Sequence, residues 1–224
     1  MILWQGMRDD IKHIWFDFAG TLFVETPEFH EAHRKLLYQT YANLKGIDDL
    51  KVAEKKFIEL QKKYGSNSAV FRALGQPSDY WMKALDSLDF ATLLKPNLEI
   101  PQTLAVIKDN VLISLFTNYV KYRIDMLLQL LQIPSEYFTH IITGDDVAER
   151  KPSLEGFHAM IERSGIPASQ LLYVGDRVAV DIKPAKQVGM KTCLVYAESD
   201  EANYCFKAFK DLTELIALDQ VHLP

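Results

Sequence analysis

The segment FDFAGTLF, residues 16–23, decides the fold because an aspartate ends an apolar run and a small flexible turn follows at once. The run begins at Ile11 and is nearly all apolar, which is typical of a strand covered by helices on both faces. Asp17 is therefore expected at the carboxyl end of a buried parallel strand, where open α/β sheets bind their ligands. Gly20 allows the backbone to approach a ligand closely.

Four further apolar runs have the same character and alternate with helical segments. The runs are 111–117, 140–146, 171–176 and 191–196, and helices are expected over 122–132, 153–165 and 179–189. Pro184 fits the last of these helices only if it lies near the first turn. The alternation predicts an α/β fold with a Rossmann-like parallel sheet.

The first two strands are separated by about 90 residues, which is too long for a structureless loop inside a compact domain. Within this separation, PEFHEAHRKLLYQTYANLKG and LKVAEKKFIELQKKYG carry apolar side chains at helical spacing. Residues 26–96 are therefore predicted to form an all-helical cap domain. Residues 1–25 and 97–224 are predicted to form the Rossmann-like core.

Composition excludes several classes of protein. The formal net charge of −5 and pI near 5.7 provide no basic surface for a nucleic acid polymer, and no apolar run approaches a membrane span. The first ten residues lack the basic and apolar regions of a secretory signal, so a cytoplasmic location is expected. Two cysteines are too few for a disulfide framework. A small molecule is the expected partner, and no feature predicts the oligomeric state.

Polar residues follow the predicted strands at several points. Thr117 and Asn118 follow the second strand, Lys151 lies beyond the third, and Asp176 and Asp181 follow the fourth in GDRVAVD. Each alone has an ordinary explanation as a helix cap, surface turn or loop residue. Together with Asp17 they supply what phosphoryl transfer needs, because an attacking carboxylate is repelled by phosphate unless a cation and an amine lie nearby. Carboxylate oxygens suit Mg²⁺.

This order of motifs resembles the haloacid dehalogenase-like hydrolase superfamily over residues 17 to about 196, and the helical insert resembles its C1-type cap. The resemblance implies a Mg²⁺-dependent hydrolase of a small phosphorylated metabolite, with Asp17 as the nucleophile. It implies that Gly20, Thr117, Asn118 and Lys151 bind the phosphate. It also implies that Thr117 and Lys151 take part in catalysis. It implies a metal site formed by Asp17, the backbone carbonyl of Ala19, Asp176 and Asp181.

Ala19 departs from the pattern, because phosphatases of the superfamily usually have an aspartate there that protonates the leaving group and activates water. Such acid–base help contributes roughly 10²- to 10⁴-fold in rate. Three hypotheses about the function remain open. The chain is a phosphatase with atypical or weakened acid–base catalysis, a C–P hydrolase similar to phosphonoacetaldehyde hydrolase, or an impaired phosphate-binding or regulatory protein. A dehalogenase fits less well, because the acidic GDRVAVD segment suits a metal that dehalogenases do not use.

The C–P hydrolase reading requires a cap lysine that forms a Schiff base with a phosphonate substrate. The cap lysines are Lys35, Lys45, Lys51, Lys55, Lys56, Lys62, Lys63 and Lys83. Five of them, Lys51, Lys55, Lys56, Lys62 and Lys63, are expected mostly on a solvated helix face. His30 and His33 share a helix face but have no evident third metal ligand. Arg177, which follows Asp176, is interpreted either as an ion-pair residue or as a phosphate ligand.

Overall fold

The computed structural model describes residues 11–216, and these divide into two compact units. One unit contains residues 11–24 and 96–216, and the other contains residues 25–95. The N-terminal segment on which the cytoplasmic prediction rests lies outside the described residues. Within the described part of the chain, every helix is too short or too polar to cross a membrane.

The first unit is built on a six-stranded sheet. Its strands are β1 (His13–Phe16), β2 (Leu112–Phe116), β3 (Ile141–Ile142), β4 (Leu171–Gly175), β5 (Lys191–Val195) and β6 (Tyr204–Phe206). They pair in the order β3-β2-β1-β4-β5-β6, and every neighbouring pair is parallel. All strands therefore end at the same edge of the sheet.

Burial explains the near-continuous apolar runs. All four residues of β1 and all five of β4 are buried. On one face of the sheet, Trp15, Phe116 and Tyr173 pack with Phe157 and Met160 in a buried cluster. A strand covered on both faces leaves no solvated positions for polar residues, which is why periodicity of two is absent from these segments.

The helices of the first unit connect the strands. They are α6 (Glu99–Lys108), α7 (Lys121–Leu130), α8 (Glu155–Ser164) and α9 (Lys183–Gln187). Gly165 ends α8 in the left-handed region with a φ of 65°, as a residue without a Cβ does at little cost. Short 3₁₀ turns at 135–137, 168–170 and 209–215 complete the unit.

Three features differ from the sequence-based expectation. Strand β6 and helix α6 were not predicted. Strand β6 has only three residues, whereas α6 carries Ile100, Leu104 and Ile107 at helical spacing, a signal that the sequence contains. The segment expected to be one helix over 179–189 is instead a π-helical turn, Val178–Ile182, followed by α9. Pro184 lies in the first turn of α9, where its missing N–H is tolerated.

The second unit is all-helical. Its helices are α1 (Pro27–Lys45), α2 (Leu50–Tyr64), α3 (Asn67–Ala73), α4 (Tyr80–Ala84) and α5 (Phe90–Leu93). Phe57 is fully buried, with its ring centroid 5.3 Å from that of Tyr41 and 5.5 Å from that of Phe71. Phe71 in turn stacks on Trp81 at 5.9 Å. Buried aromatic contacts of this kind form a core that belongs to the unit itself.

Candidate active site

The turn after β1 fixes Asp17 at the carboxyl edge of the sheet. Its backbone N–H donates to Val174 O at 2.8 Å, which extends the β1–β4 ladder by one residue beyond the strand. Gly20 then turns the chain back with a φ of 87°, and its N–H donates to Phe23 O at 3.0 Å. Any Cβ at residue 20 would collide with the carboxylate of Asp176. The glycine is therefore required both by the turn and by the close approach of that carboxylate.

Lys151 joins the nucleophile candidate to the late acidic motif. Its Nζ atom donates to Asp17 Oδ1 at 2.5 Å and to Asp181 Oδ1 at 2.8 Å, and all three side chains are buried. A third hydrogen bond, at 2.8 Å, goes to the hydroxyl of Tyr173. All three N–H donors of the ammonium group are thus engaged within the protein. An incoming phosphate oxygen would have to replace one of these partners.

Asn118 holds the backbone of Lys151. Its Oδ1 accepts from Lys151 N at 2.8 Å, and its Nδ2 donates to Lys151 O at 3.1 Å. This reciprocal pair joins the loop after β2 to the segment that carries the lysine, 33 residues further along the chain. The amide group therefore positions Lys151, and the backbone carbonyl of Asn118 accepts from Arg150 Nε at 3.1 Å.

The loop before Lys151 is shaped by a second pair of hydrogen bonds. Glu155, in the first turn of α8, accepts from the backbone N–H groups of Ala148 and Glu149 at 2.8 and 2.9 Å. These bonds to the ionised form lower the pKa of Glu155. Asn118 therefore holds the backbone of Lys151 itself, and Glu155 holds the backbone of the loop that precedes it.

Thr117 lies directly after β2, which pairs with β1 in parallel. Its hydroxyl accepts from Tyr119 N at 3.2 Å, and it is buried with the site. Because the oxygen acts as an acceptor in this contact, the hydroxyl proton is available for donation to an anion. This is the arrangement that a phosphate ligand at the end of a strand requires.

Asp17, Asp176 and Asp181 form an acidic cluster whose ligand atoms lie within 4.8 Å of one another, and it is the one such group found in residues 11–216. Asp17 Oδ2 and Asp176 Oδ1 are buried without a hydrogen-bond partner among the described residues. Buried carboxylate oxygens without partners are costly unless a cation or donor satisfies them. The donor set consists only of oxygen atoms, from the residues that follow β1 and β4 and from the turn that contains Asp181, and it fits Mg²⁺.

The electrostatics of the cluster follow from its burial. Desolvation raises the pKa of Asp17 to about 7, against the opposing effect of Lys151, while Asp181 adds to the increase. Desolvation also raises the pKa of Asp176, which the guanidinium of Arg177 partly offsets. A nearby positive charge therefore favours the ionised form that a nucleophile or metal ligand needs.

The π-helical turn delivers Asp181 into the site. Asp181 is fully buried, and its Oδ2 accepts from the backbone N–H of Arg177 at 3.1 Å. A Cβ at Gly175 would lie 2.5 Å from Asp181 Cβ, so the end of β4 must be glycine for this carboxylate to reach Lys151. Single π turns of this kind occur often at functional sites because they redirect one side chain out of the helical period.

Ala19 brings no acid to the site. It is half-buried and pairs with Phe23 in an isolated parallel bridge across the Gly20 turn. Thr21, two residues on, is buried, and its carbonyl oxygen accepts from the hydroxyl of Tyr196 at 3.1 Å. Hydrogen bonds thus hold the turn in place, whereas the side chain of Ala19 has no group that can donate or accept a proton.

Tyr173 was missed by sequence reasoning. It is fully buried in β4, its hydroxyl accepts from Lys151, and it lies 3.5 Å from Asp181 Oδ1. Burial, and then the charges of Asp181 and Asp17, raise the pKa of this phenol well above its ordinary value, so it remains neutral. The one available signal is a hydroxylated aromatic residue inside the otherwise aliphatic LLYVG run.

The other candidate residues lie in the helical unit. His30 pairs with Glu25 at 3.2 Å, whereas His33 stacks on Phe29 and contacts Trp81 edge-to-face. The two histidines that share a helix face are therefore engaged in separate contacts. The cap lysines considered for a Schiff base are all exposed; they are Lys35, Lys45, Lys51, Lys55, Lys56, Lys62, Lys63 and Lys83. None has the desolvated surroundings that activate a lysine nucleophile.

Comparison with known proteins agrees with this geometry. The family model described as haloacid dehalogenase-like hydrolase matches residues 11–189. A glyceraldehyde 3-phosphate phosphatase from Methanocaldococcus jannaschii is 37% identical over 84 residues, a match spanning 36% of this chain and 37% of that relative. A second protein of the same name, from Pyrococcus abyssi, is 28% identical over 201 residues and spans 81% of this chain and 80% of the relative.

A solved structure is also similar. The HAD phosphatase from Thermococcus onnurineus superposes with a TM-score of 0.70 at 23% identity, covering 92% of this chain and 98% of that one. At this identity the similarity shows the fold. The span matched by the family model includes strands β1 to β4 and the acidic segment after β4.

Proposed function

The chain belongs to the haloacid dehalogenase-like hydrolase family, and on this basis we propose that it is a phosphatase that acts on a small phosphorylated metabolite through Asp17. The observation that carries the proposal is the buried contact of Lys151 Nζ with both Asp17 and Asp181. An amine and three carboxylates in one water-poor site provide the charges that phosphoryl transfer requires. The relatives' names suggest glyceraldehyde 3-phosphate as the first substrate to test.

The proposed metal ligands are Asp17, the backbone carbonyl of Ala19, Asp176 and Asp181, and the metal is Mg²⁺. When bound, the ion would neutralise the carboxylates and shield the negative charge of the phosphate. Asp17 Oδ1 is held by Lys151, whereas Oδ2 has no hydrogen-bond partner in the described part of the chain. The lysine thus fixes the rotation of the carboxylate, and the buried Oδ2 atom keeps its lone pairs for a metal ion.

In the proposed reaction Asp17 attacks phosphorus, an O–P bond to the carboxylate forms, and the bond to the leaving oxygen breaks. Thr117 donates its hydroxyl to a phosphate oxygen, and Lys151 exchanges one of its protein partners for another. The leaving oxygen takes its proton from solvent. Water then attacks the phosphorus of the aspartyl phosphate and gives a proton to solvent, which releases inorganic phosphate and restores the carboxylate. Tyr173 and Asn118 are proposed to position Lys151 and not to touch the substrate.

Ala19 limits the proposed reaction in a specific way. The leaving oxygen receives no proton from residue 19, so substrates with acidic leaving groups should react fastest. The same residue favours a second candidate, a phosphate-binding protein that forms the aspartyl phosphate slowly or not at all. Exposure of the cap lysines disfavours the C–P hydrolase, since a Schiff-base lysine is usually desolvated.

Residues 26–96 are proposed as the cap domain that selects the substrate, and the cytoplasmic location stays a prediction. A small phosphate ester, and not a polymer, is the proposed ligand because Asp17, Lys151 and Asp181 are buried and the net charge of −5 provides no basic surface for a polymer. The resemblance implies that the catalytic residues lie at the sheet and that the inserted cap domain selects the substrate.

The test is single-turnover chemistry with acetyl phosphate, p-nitrophenyl phosphate and glyceraldehyde 3-phosphate, each with and without Mg²⁺. The wild-type protein should form a hydroxylamine-sensitive aspartyl phosphate, and Asp17→Asn should form none. The matched control is Asp200→Asn, which removes an exposed carboxylate. Equal phosphate release by Asp17→Asn and wild type would eliminate the nucleophile assignment. Anion binding without any phosphoenzyme would favour the second candidate.

A further inference from the structure

Arg177 contacts two members of the acidic cluster at once. Its Nε atom lies 3.7 Å from Asp176 Oδ1 and 3.7 Å from Asp181 Oδ2. These separations exceed hydrogen-bond distance, so the contacts are electrostatic and carry little directional constraint. The side chain is 51% exposed, whereas that of Lys151 is fully buried. Of the two cations at the cluster, Arg177 is the one that can move away into solvent.

The formal charges show what the arginine contributes. Asp17, Asp176 and Asp181 supply three negative charges, and Lys151 and Arg177 supply two positive charges, which leaves a net charge of −1. Without Arg177 the same cluster would carry −2, the charge that a divalent cation neutralises. The guanidinium therefore supplies part of the positive charge that the cluster needs when it binds no metal ion.

We propose that Arg177 is an internal counter-ion of the acidic cluster, and that a divalent cation binds in competition with it. This inference rests on one part of the proposed function, namely that Asp17, Asp176 and Asp181 bind a metal ion. Arg177 stabilises the metal-free site and lowers its affinity for the ion. Metal binding then releases the guanidinium, whereas the backbone N–H of Arg177 keeps its own hydrogen bond to Asp181 Oδ2 at 3.1 Å.

The test is Mn²⁺ binding to the purified full-length protein, followed by the electron paramagnetic resonance signal of the free ion, with Mg²⁺ added as competitor. Arg177→Gln should bind Mn²⁺ about tenfold more tightly, because a unit charge near a partly exposed site contributes an energy of that order. Arg177→Lys, which keeps the charge, should stay within about threefold of wild type. Arg163→Gln is the matched control, since Arg163 is 38% exposed and pairs with Asp146, which is not a member of the cluster.

A second readout is thermal unfolding without metal. Arg177→Gln should unfold at a lower temperature than wild type in EDTA. Addition of Mg²⁺ should raise its unfolding temperature by more than it raises that of wild type. Equal or weaker Mn²⁺ binding by Arg177→Gln would overturn the inference, and so would the failure of every variant to bind Mn²⁺. Phosphoenzyme formation at Asp17 is measured separately. A protein that binds metal but forms no phosphoenzyme would contradict the proposed function and leave the inference intact.

Discussion

Lys151 Nζ lies 2.5 Å from Asp17 Oδ1 although the two residues are 134 positions apart, and neither side chain is appreciably exposed. A buried ion pair is maintained only when both charges are well satisfied, because losing one partner leaves the other charge uncompensated. Here Tyr173 and Asp181 complete the coordination of the amine. The predictions below concern residues that hold this arrangement or limit its chemistry.

Replacing Ala19 with aspartate should raise the hydrolysis of simple alkyl phosphates. An acid at this turn would protonate the leaving oxygen, and such assistance gives roughly 10²- to 10⁴-fold in rate. The measurement is steady-state phosphate release from glyceraldehyde 3-phosphate and from p-nitrophenyl phosphate. Ala19→Asn has the same shape without the acid and serves as the control. A gain that is equal in both variants, or equal for both substrates, would argue against missing acid catalysis.

Tyr173→Phe should lower stability and weaken phosphate turnover. The hydroxyl is one of three partners of a buried ammonium group, and loss of a hydrogen bond to a buried charge costs about 1–3 kcal/mol. Urea unfolding gives the free energy, and the kinetic effect should lie in kcat, since the residue positions Lys151. Tyr38→Phe, in the helical unit, should change the free energy of unfolding by less than about 0.5 kcal/mol. Unchanged stability in Tyr173→Phe would remove its positioning role.

Gly20→Ala should be more destabilising than Gly75→Ala. Both glycines have positive φ angles, 87° and 82°, so both substitutions carry the same backbone strain, about 1–2 kcal/mol. Only at residue 20 does the added Cβ collide with Asp176, whereas nothing lies within 4 Å at residue 75. The difference between the two unfolding free energies therefore measures the close approach of the carboxylate. Equal losses would indicate that Asp176 moves away freely.

His13 should make stability fall as the pH decreases. Burial, and then His140, lower the pKa of His13 from 6.5 to about 4. Between these values the unfolded chain binds the proton and the folded chain does not, so the free energy of unfolding rises with pH across this window and is lost on acidification. At pH 5 the penalty is about 2 kcal/mol relative to pH 7.5.

The measurement for His13 is urea unfolding at pH 7.5 and pH 5. His13→Gln should lose about 2 kcal/mol of the difference between the two pH values, since its side chain does not titrate. His158→Gln, which removes an exposed imidazole, is the control and should keep the wild-type difference. His33, whose pKa burial also lowers to about 4, contributes independently in both proteins. An unchanged pH difference in His13→Gln would contradict the prediction.

The sequence predicted the family and the α/β fold, and both are confirmed. Strands β1 and β4 could be predicted because their burial on both faces requires near-continuous apolar runs. Strand β6 could not, because Tyr204–Phe206 is too short for any period to emerge. The π-helical turn was also missed, since Val178–Ile182 differs from an α-helix only in its hydrogen bonding.

The site was predictable where position along a strand determines proximity. Asp17, Asp176 and Asp181 converge because parallel strands end at one edge, as expected from GDRVAVD and FDFAGTLF. The hydrogen bonds of Asn118 and Tyr173 to Lys151 were not predictable, because they depend on side-chain orientation across 33 and 22 residues. The roles assigned to these groups in catalysis stay predictions until they are tested.

The parallel order of the strands has a consequence for how the chain matures. Residues 17, 117, 151 and 181 are brought together only after β4 has paired beside β1, so a chain emerging from the ribosome has no complete site until nearly all of its core has been synthesised. Ligand affinity is consequently coupled to assembly of the whole sheet. A ligand that binds only the folded site, at 100 times its Kd, would stabilise the folded state by about 2.7 kcal/mol, and it would lower the population of unfolded chain by the same free energy.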